Sequence, residues 1–171
     1  EMLAESTLDE ISVRAIAKKC HINRQTFYYH FHDIFDLLNL LFMTEKVEGI
    51  KHAHNINEVV ECLFNYYEKN EHFITATLNS SGKELLVNFI HNTLYTSLLK
   101  FVNAIPESKK ITLQERRNIA RFYASAYSNQ FVFYLSSAKS KTLAGLNLTL
   151  NFIYEDFLSR AIITKIRRKE K

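Results

Sequence analysis

The chain has 171 residues, enough for one large domain or for a small domain joined to a medium one, and enough to bury a core. Its 47% apolar and 23% charged residues exclude a fibrous, collagen-like or acidic low-complexity chain, and only three Gly and one Pro point to helices rather than to sheets joined by tight turns. The net charge of +4 is uneven, because residues 1–60 hold six basic and nine acidic side chains and so carry −3, leaving +7 for the remainder.

Over residues 8–20, Ile11 precedes an amphipathic run in which Val13, Ile16, Ala17 and Cys20 recur at helical spacing. Ser12 is placed to cap it, and Lys18 and Lys19 suit its last turn. His21-Ile22-Asn23 breaks the pattern, and Asn23 is the N-cap of a second short helix through Phe31. Asp33 and Asp36 mark a third start, with Leu37, Leu38, Leu41 and Phe42 continuing toward about Gly49. His52-Ala53-His54-Asn55 reads as a loose joint, so the expected division is a domain over 1–50 and a second over 51–171.

Four longer amphipathic segments follow, over 57–78, 83–103, 112–137 and 147–168. The third carries the stripe Ile119, Phe122, Tyr123, Ala126, Tyr127, Gln130, Phe133 and Tyr134, expected to face the core. The fourth carries Leu150, Ile153, Tyr154, Phe157, Leu158, Ala161 and Ile162. Leu148, Phe152 and Ile163 project outside that stripe, and with Phe131 they form the expected dimer interface.

Ser12 to Phe31 is the most informative stretch, and its physics fits a helix-turn-helix. Small Ala17 lets two short helices cross closely, Ile22 seals the turn, and Phe27 and Phe31 at i and i+4 anchor the second helix. That leaves Arg24, Gln25, Thr26, Tyr28, Tyr29 and His30 facing outward. Arg and Gln make bidentate contacts to base edges in the major groove, while Thr and Tyr hydroxyls and His donate to phosphates.

With the pattern Ile11-Ser12-Val13-Arg14-Ala15-Ile16-Ala17 and the signature Thr26-Phe27-Tyr28-Tyr29-His30-Phe31, the chain resembles the TetR family of transcriptional regulators over about residues 8–41. The Arg24-Gln25-Thr26-Phe27-Tyr28 wording is similar to that of the dihydroxyacetone-kinase-operon regulators, which work through a partner protein. The family resemblance implies a three-helix DNA-binding domain followed by a variable helical domain that binds effectors and dimerises. It makes Arg14, Arg24 and Gln25 base readers and gives Thr26, Tyr28, Tyr29 and His30 the grip on phosphate or sugar. The chain departs from the family pattern in three places. His21 stands where the family has Gly, so a side chain must hold a position that favours φ > 0. Ile34 stands where a phosphate-contacting Lys is common, and the first helix is expected to be truncated, which lowers DNA affinity and its salt dependence.

In the second domain Tyr66, Asn88, His91, Tyr95, Tyr123 and Tyr127 are candidates for an effector pocket, apolar with a few orienting polar groups. The His30/His32 and His52/His54 pairs have i, i+2 spacing and no completing ligands, so no metal is expected. Catalytic motifs and cofactor loops are also missing from the sequence. Cys20 and Cys62 suit a reducing cytoplasm, no apolar run is long enough for a membrane span, and the basic tail 165–171 reads as a solvated helix end. The expectation is an all-α, homodimeric, cytoplasmic regulator, without enzyme activity, metal or cofactor. It would repress from a double-stranded DNA operator under a small-molecule or protein effector. A helical interaction module that has lost DNA binding is the alternative.

Overall fold

Helix starts fall where the capping side chains set them. In the computed structural model, which describes residues 2–4, 6–150 and 156–169, Ser12, Asn23 and Asp33 accept backbone N–H groups at the starts of α1 (Val13–Lys19), α2 (Arg24–His30) and α3 (Ile34–Thr44). Asp36 returns the interaction by accepting the His32 N–H at 3.2 Å. Six further helices follow among the described residues: α4 (Ile56–Lys69), α5 (Glu71–Leu78), α6 (Lys83–Ala104), α7 (Leu113–Ser137), α8 (Leu143–Leu150) and α9 (Phe157–Lys169). No strand occurs among the described residues.

Several expected boundaries move, each for a local reason. α3 stops at Thr44 rather than near Gly49, where the Thr44 hydroxyl donates back to the Leu40 and Leu41 carbonyls. Gly49 instead takes φ +78° at the entry to a 3-10 turn, Ile50–His52. The single helix expected over 57–78 is two, because Asn70 leaves helical geometry. Its N–H and its side-chain amide both donate to the Tyr66 carbonyl, ending α4, and its own carbonyl accepts the Ile74 N–H in α5. The segment expected over 147–168 is also two helices, α8 and α9. Ile153 and Tyr154 of its stripe lie outside the described residues.

The chain forms two compact units. The first comprises residues 1–46 and 66–89 and the second residues 47–65 and 90–171, so α4 and α6 each contribute to both. In the first unit, Phe42 of α3 stacks on Phe89 at 5.2 Å and meets Phe73 at 5.6 Å. Asp9 accepts the Ser81 N–H at 3.4 Å. Gly82 lets the Leu8 and Leu38 side chains approach so closely that a Cβ at 82 would lie 2.7 and 2.8 Å from them.

In the second unit α7 is a neighbour of both α8 and α9. Its core stripe is Ala120, Ala124, Tyr127, Ser128, Phe131 and Leu135, rotated from the expected one. Phe122, Ala126 and Phe133, expected inside, are exposed. The small side chains at 120, 124 and 128 let α7 approach its neighbours closely, and the outward Phe residues cannot use that space. α8 contains Gly145, where a Cβ would collide with the Tyr134 hydroxyl. That hydroxyl accepts the Thr142 N–H and donates to the Thr142 carbonyl, both at 3.0 Å, fixing the turn between α7 and α8.

Candidate nucleic-acid interface

The reading surface begins with the turn between α1 and α2. Cys20 caps α1 by donating its N–H to the Ile16 carbonyl at 2.9 Å, and the Ile22 N–H donates to Ala17 at 3.0 Å. His21 takes φ +54°, the left-handed conformation that the family resemblance implies for its position, and no other non-glycine residue among those described has a positive φ. Ile22 and Cys20 are both exposed, so the turn is closed by backbone hydrogen bonds rather than by the Ile22 side chain. Replacing His21 with Gly is therefore expected to stabilise the protein by about 0.5–1 kcal/mol, since relief of the left-handed strain exceeds the added unfolded-state entropy. A urea titration reads this directly, and an unchanged or lower midpoint would show the turn to be unstrained.

α2 sits on that turn through one deeply buried side chain. Phe27 is 3% exposed and packs on Phe31 at 5.4 Å and edge-on to Tyr28 at 5.7 Å. Beneath it Ala17 is buried in α1, which contacts α2. With Phe27 turned inward, Arg24, Gln25, Thr26, Tyr28, Tyr29 and His30 are all exposed, as is Arg14 in the first turn of α1. Tyr29 is the most exposed large hydrophobic side chain among the described residues, at 85%, with its ring edge-on to His30 at 5.0 Å. The surface thus offers two planar cations, Arg14 and Arg24, one amide, three hydroxyls and the His30 imidazole, without a carboxylate on α2. Ile34 opens α3 half-buried, so the expected departure there removes a cation from the rim.

The six candidates for an effector pocket are divided between the two units. Tyr66 and Asn88 belong to the first unit. There Tyr66 packs on Phe89 at 5.4 Å, and burial, with Glu45 nearby, pushes its hydroxyl pKa well up, whereas Asn88 is exposed. In the second unit His91 stacks parallel to Tyr95 at 6.3 Å and lies 3.3 Å from the Ser125 hydroxyl. Tyr123 and Tyr127 pack on Phe157 at 4.3 and 5.9 Å, and of the six Tyr127 alone lines the cavity bordered by α4, α6, α7, α8 and α9.

Of the expected dimer residues, Leu148 and Ile163 are exposed, and Phe152 lies outside the described residues. Phe131 is corrected. At 2% exposure it is already buried in its own subunit and leaves no surface for a partner. Sequence reasoning missed Phe122 and Phe133, 69% and 64% exposed on one face of α7. The spacing of Ala120, Ala124 and Ser128 was the available signal, because it marks the opposite face as the close-packed one. It also missed Lys100, whose ammonium donates to the Lys51 and Ala53 carbonyls at 3.1 and 3.2 Å and ties α6 to the segment leading into α4.

Residues 1–41 match the family described as bacterial regulatory proteins, tetR family, and residues 54–156 match the TetR-type transcriptional regulator C-terminal region. The chain belongs to the TetR family of transcriptional regulators. As a TetR-family protein it is a DNA-binding transcriptional regulator and not an enzyme. The solved structure of the dihydroxyacetone kinase operon activator DhaS is similar in fold, with a TM-score of 0.56 and 19% identity over 97% of this chain and 90% of that one. No curated protein sequence matches the chain. No described helix is long and apolar enough to cross a membrane.

Proposed function

We propose that this TetR-family regulator works as a cytoplasmic homodimer that inserts the two copies of α2 into successive major grooves of a palindromic operator and represses by occupying it. The exposure of every polar side chain on α2, with Phe27 alone turned inward, carries this reading. Arg24 and Gln25, in the first turn, and Arg14 read base edges, while Thr26, Tyr28, Tyr29 and His30 hold phosphate and sugar. The DNA-reading part is residues 1–50 and the effector and dimerisation part residues 51–171, a division flanked by the two family matches, which end at 41 and begin at 54. The second copy docks on the exposed apolar face of α7 with Leu148 and Ile163 beside it. An effector, small molecule or protein, shifts the population between arrangements with and without the operator spacing.

Arg24→Ala is expected to weaken binding to the selected operator by about 1–3 kcal/mol and to relax preference at one base position. Fluorescence anisotropy on the operator and on random DNA checks this, and equal losses on both would assign Arg24 to the backbone instead. A promoter–reporter fusion gives the direction of regulation. Its signal should rise when the regulator is removed, and a fall would make the protein an activator, as the DhaS structure is named. Absence of saturable, salt-dependent operator binding would favour the helical interaction module, to which the −3 charge of residues 1–60 is better suited.

A further inference from the structure

The cations of the second unit gather at one end of it. The 3-10 turn Pro106–Lys110 contacts α9, and α9 contacts α7. Lys165, near the end of α9, lies 3.6 Å from Glu115 in the first turn of α7, so the close of one helix stands beside the start of the other. Residues 106–117 and 165–168, brought together in this way, hold seven basic side chains and two acidic ones, Glu107 and Glu115. That is +5 of the +7 carried by residues 61–171. The C-terminal dipole of α9 accounts for cations in its own last turn, the reading that the tail has from sequence. It does not account for Arg116 and Arg117 at the start of α7, where the dipole disfavours them.

Two of the seven are engaged, Lys165 with Glu115 and Arg116 through Nη1, which donates to the Asn103 side-chain carbonyl at 2.8 Å. Glu115 is occupied further, accepting the Thr112 N–H at 2.8 Å. Lys109, Lys110, Arg117, Arg167 and Arg168 are exposed, and no ion pair or hydrogen bond joins their side chains to a described residue. Packed helices lie about 8–10 Å apart, close to the screening length of about 8 Å at 0.15 M salt, so these charges act as a single positive field.

Little apolar surface accompanies them. Leu113 is exposed, but Ile111 is buried and Ile166 half-buried, which leaves a protein partner little to bury. A helix that lies in a bilayer surface does so through its apolar face, and that of α9, Phe157, Leu158 and Ile162, is committed to the core of its own subunit. A phosphate backbone needs neither, being held by cations, with Arg forks matched to its oxygens. Duplex DNA is the polyanion that a regulator of this family works on, and it carries one charge per about 1.7 Å of axis. Residues 1–60, which include the reading helix, carry −3 and supply few of the cations that phosphate binding uses.

We propose that Lys109, Lys110, Arg117, Arg167 and Arg168 form a second DNA site, which holds the phosphates of a duplex regardless of its sequence. It gives the regulator a grip on DNA outside the operator, and it does not depend on the roles given to α2.

Anisotropy of a labelled random duplex of about 20 base pairs, titrated with the full chain between about 50 and 300 mM salt, tests this. Lys109→Gln, Lys110→Gln, Arg167→Gln and Arg168→Gln combined should weaken binding at least about 10-fold near 0.1 M salt and reduce the slope of log affinity against log salt by about 3–4, at roughly 0.9 per lost phosphate contact. The melting temperature should hold, because all four side chains are exposed. Arg167→Gln with Arg168→Gln alone should lose about half of that slope. Lys139→Gln with Lys141→Gln, which removes two charges elsewhere in the unit, should change it by less than about 0.5. Unchanged affinity and slope in the fourfold and double variants, or an equal loss per charge in the Lys139/Lys141 control, would overturn the proposal. So would tighter binding, at equal salt, to poly-L-glutamate or to phosphatidylserine vesicles than to the duplex, which would assign the patch to an acidic protein or to a membrane. Failure of the α2 reading shows separately, as an operator bound no more tightly than random DNA while the fourfold variant still loses its slope.

Discussion

Phe122→Asp combined with Phe133→Asp is expected to turn the regulator into a folded monomer that no longer holds its operator. Both rings are mostly exposed in a single chain, so the charges cost little inside the subunit. In the proposed dimer they would sit, unpaired, in an apolar contact between two copies of α7, where an unpaired carboxylate is strongly unfavourable. Two half-sites bound through one rigid dimer gain about 100- to 10,000-fold over a single half-site, and this gain disappears with the dimer. Sedimentation should give the mass of one chain, circular dichroism should remain helical, and operator affinity should fall within that range. A double variant that still sediments as a dimer would move the interface off α7.

The second large effect belongs to Phe27. Removing this ring as Phe27→Ala is expected to cost about 3–5 kcal/mol, because α2 has no other fully buried side chain through which to hold its place. α1 and α2 have only seven residues each and would not persist without that contact. Loss should therefore appear first as fast amide exchange over residues 13–31, followed by loss of operator binding. Phe27→Leu, which keeps most of the apolar volume, should recover much of both. Unchanged exchange in the Ala variant would mean that α2 is held mainly by its backbone turn.

The starts of the three N-terminal helices were legible because they are written in local chemistry. Ser12, Asn23 and Asp33 can each satisfy an orphan N–H at one position, whereas the left-handed residue between α1 and α2 was implied by the resemblance to a family that has Gly where His21 stands. The register of α7 was not legible in the same way. Its aromatic residues and its small residues both recur at helical spacing, so the sequence supports two stripes, and only the neighbouring helices decide which is buried. The division at Asn70 escaped for a related reason, since Glu68, Lys69 and Glu71 are ordinary helix formers and Asn acts there through hydrogen bonds to Tyr66. The start of α8 was hidden by Gly145, which lowers helix propensity but gives the Tyr134 hydroxyl its room. The six effector candidates were chosen by residue type and had no spacing rule to unite them. Only Tyr127 shares a wall with the cavity.

The aromatic contacts of Phe42 with Phe73 and Phe89, and the close approach of Leu8 and Leu38 to Gly82, mean that a fragment ending at residue 50 would expose the underside of its own helices. Hybrid regulators made by exchanging reading heads between relatives should therefore transplant residues 66–89 together with 1–46. A splice that leaves this patch behind would hand the donor head a foreign floor, and its failure would say nothing about which bases the head prefers.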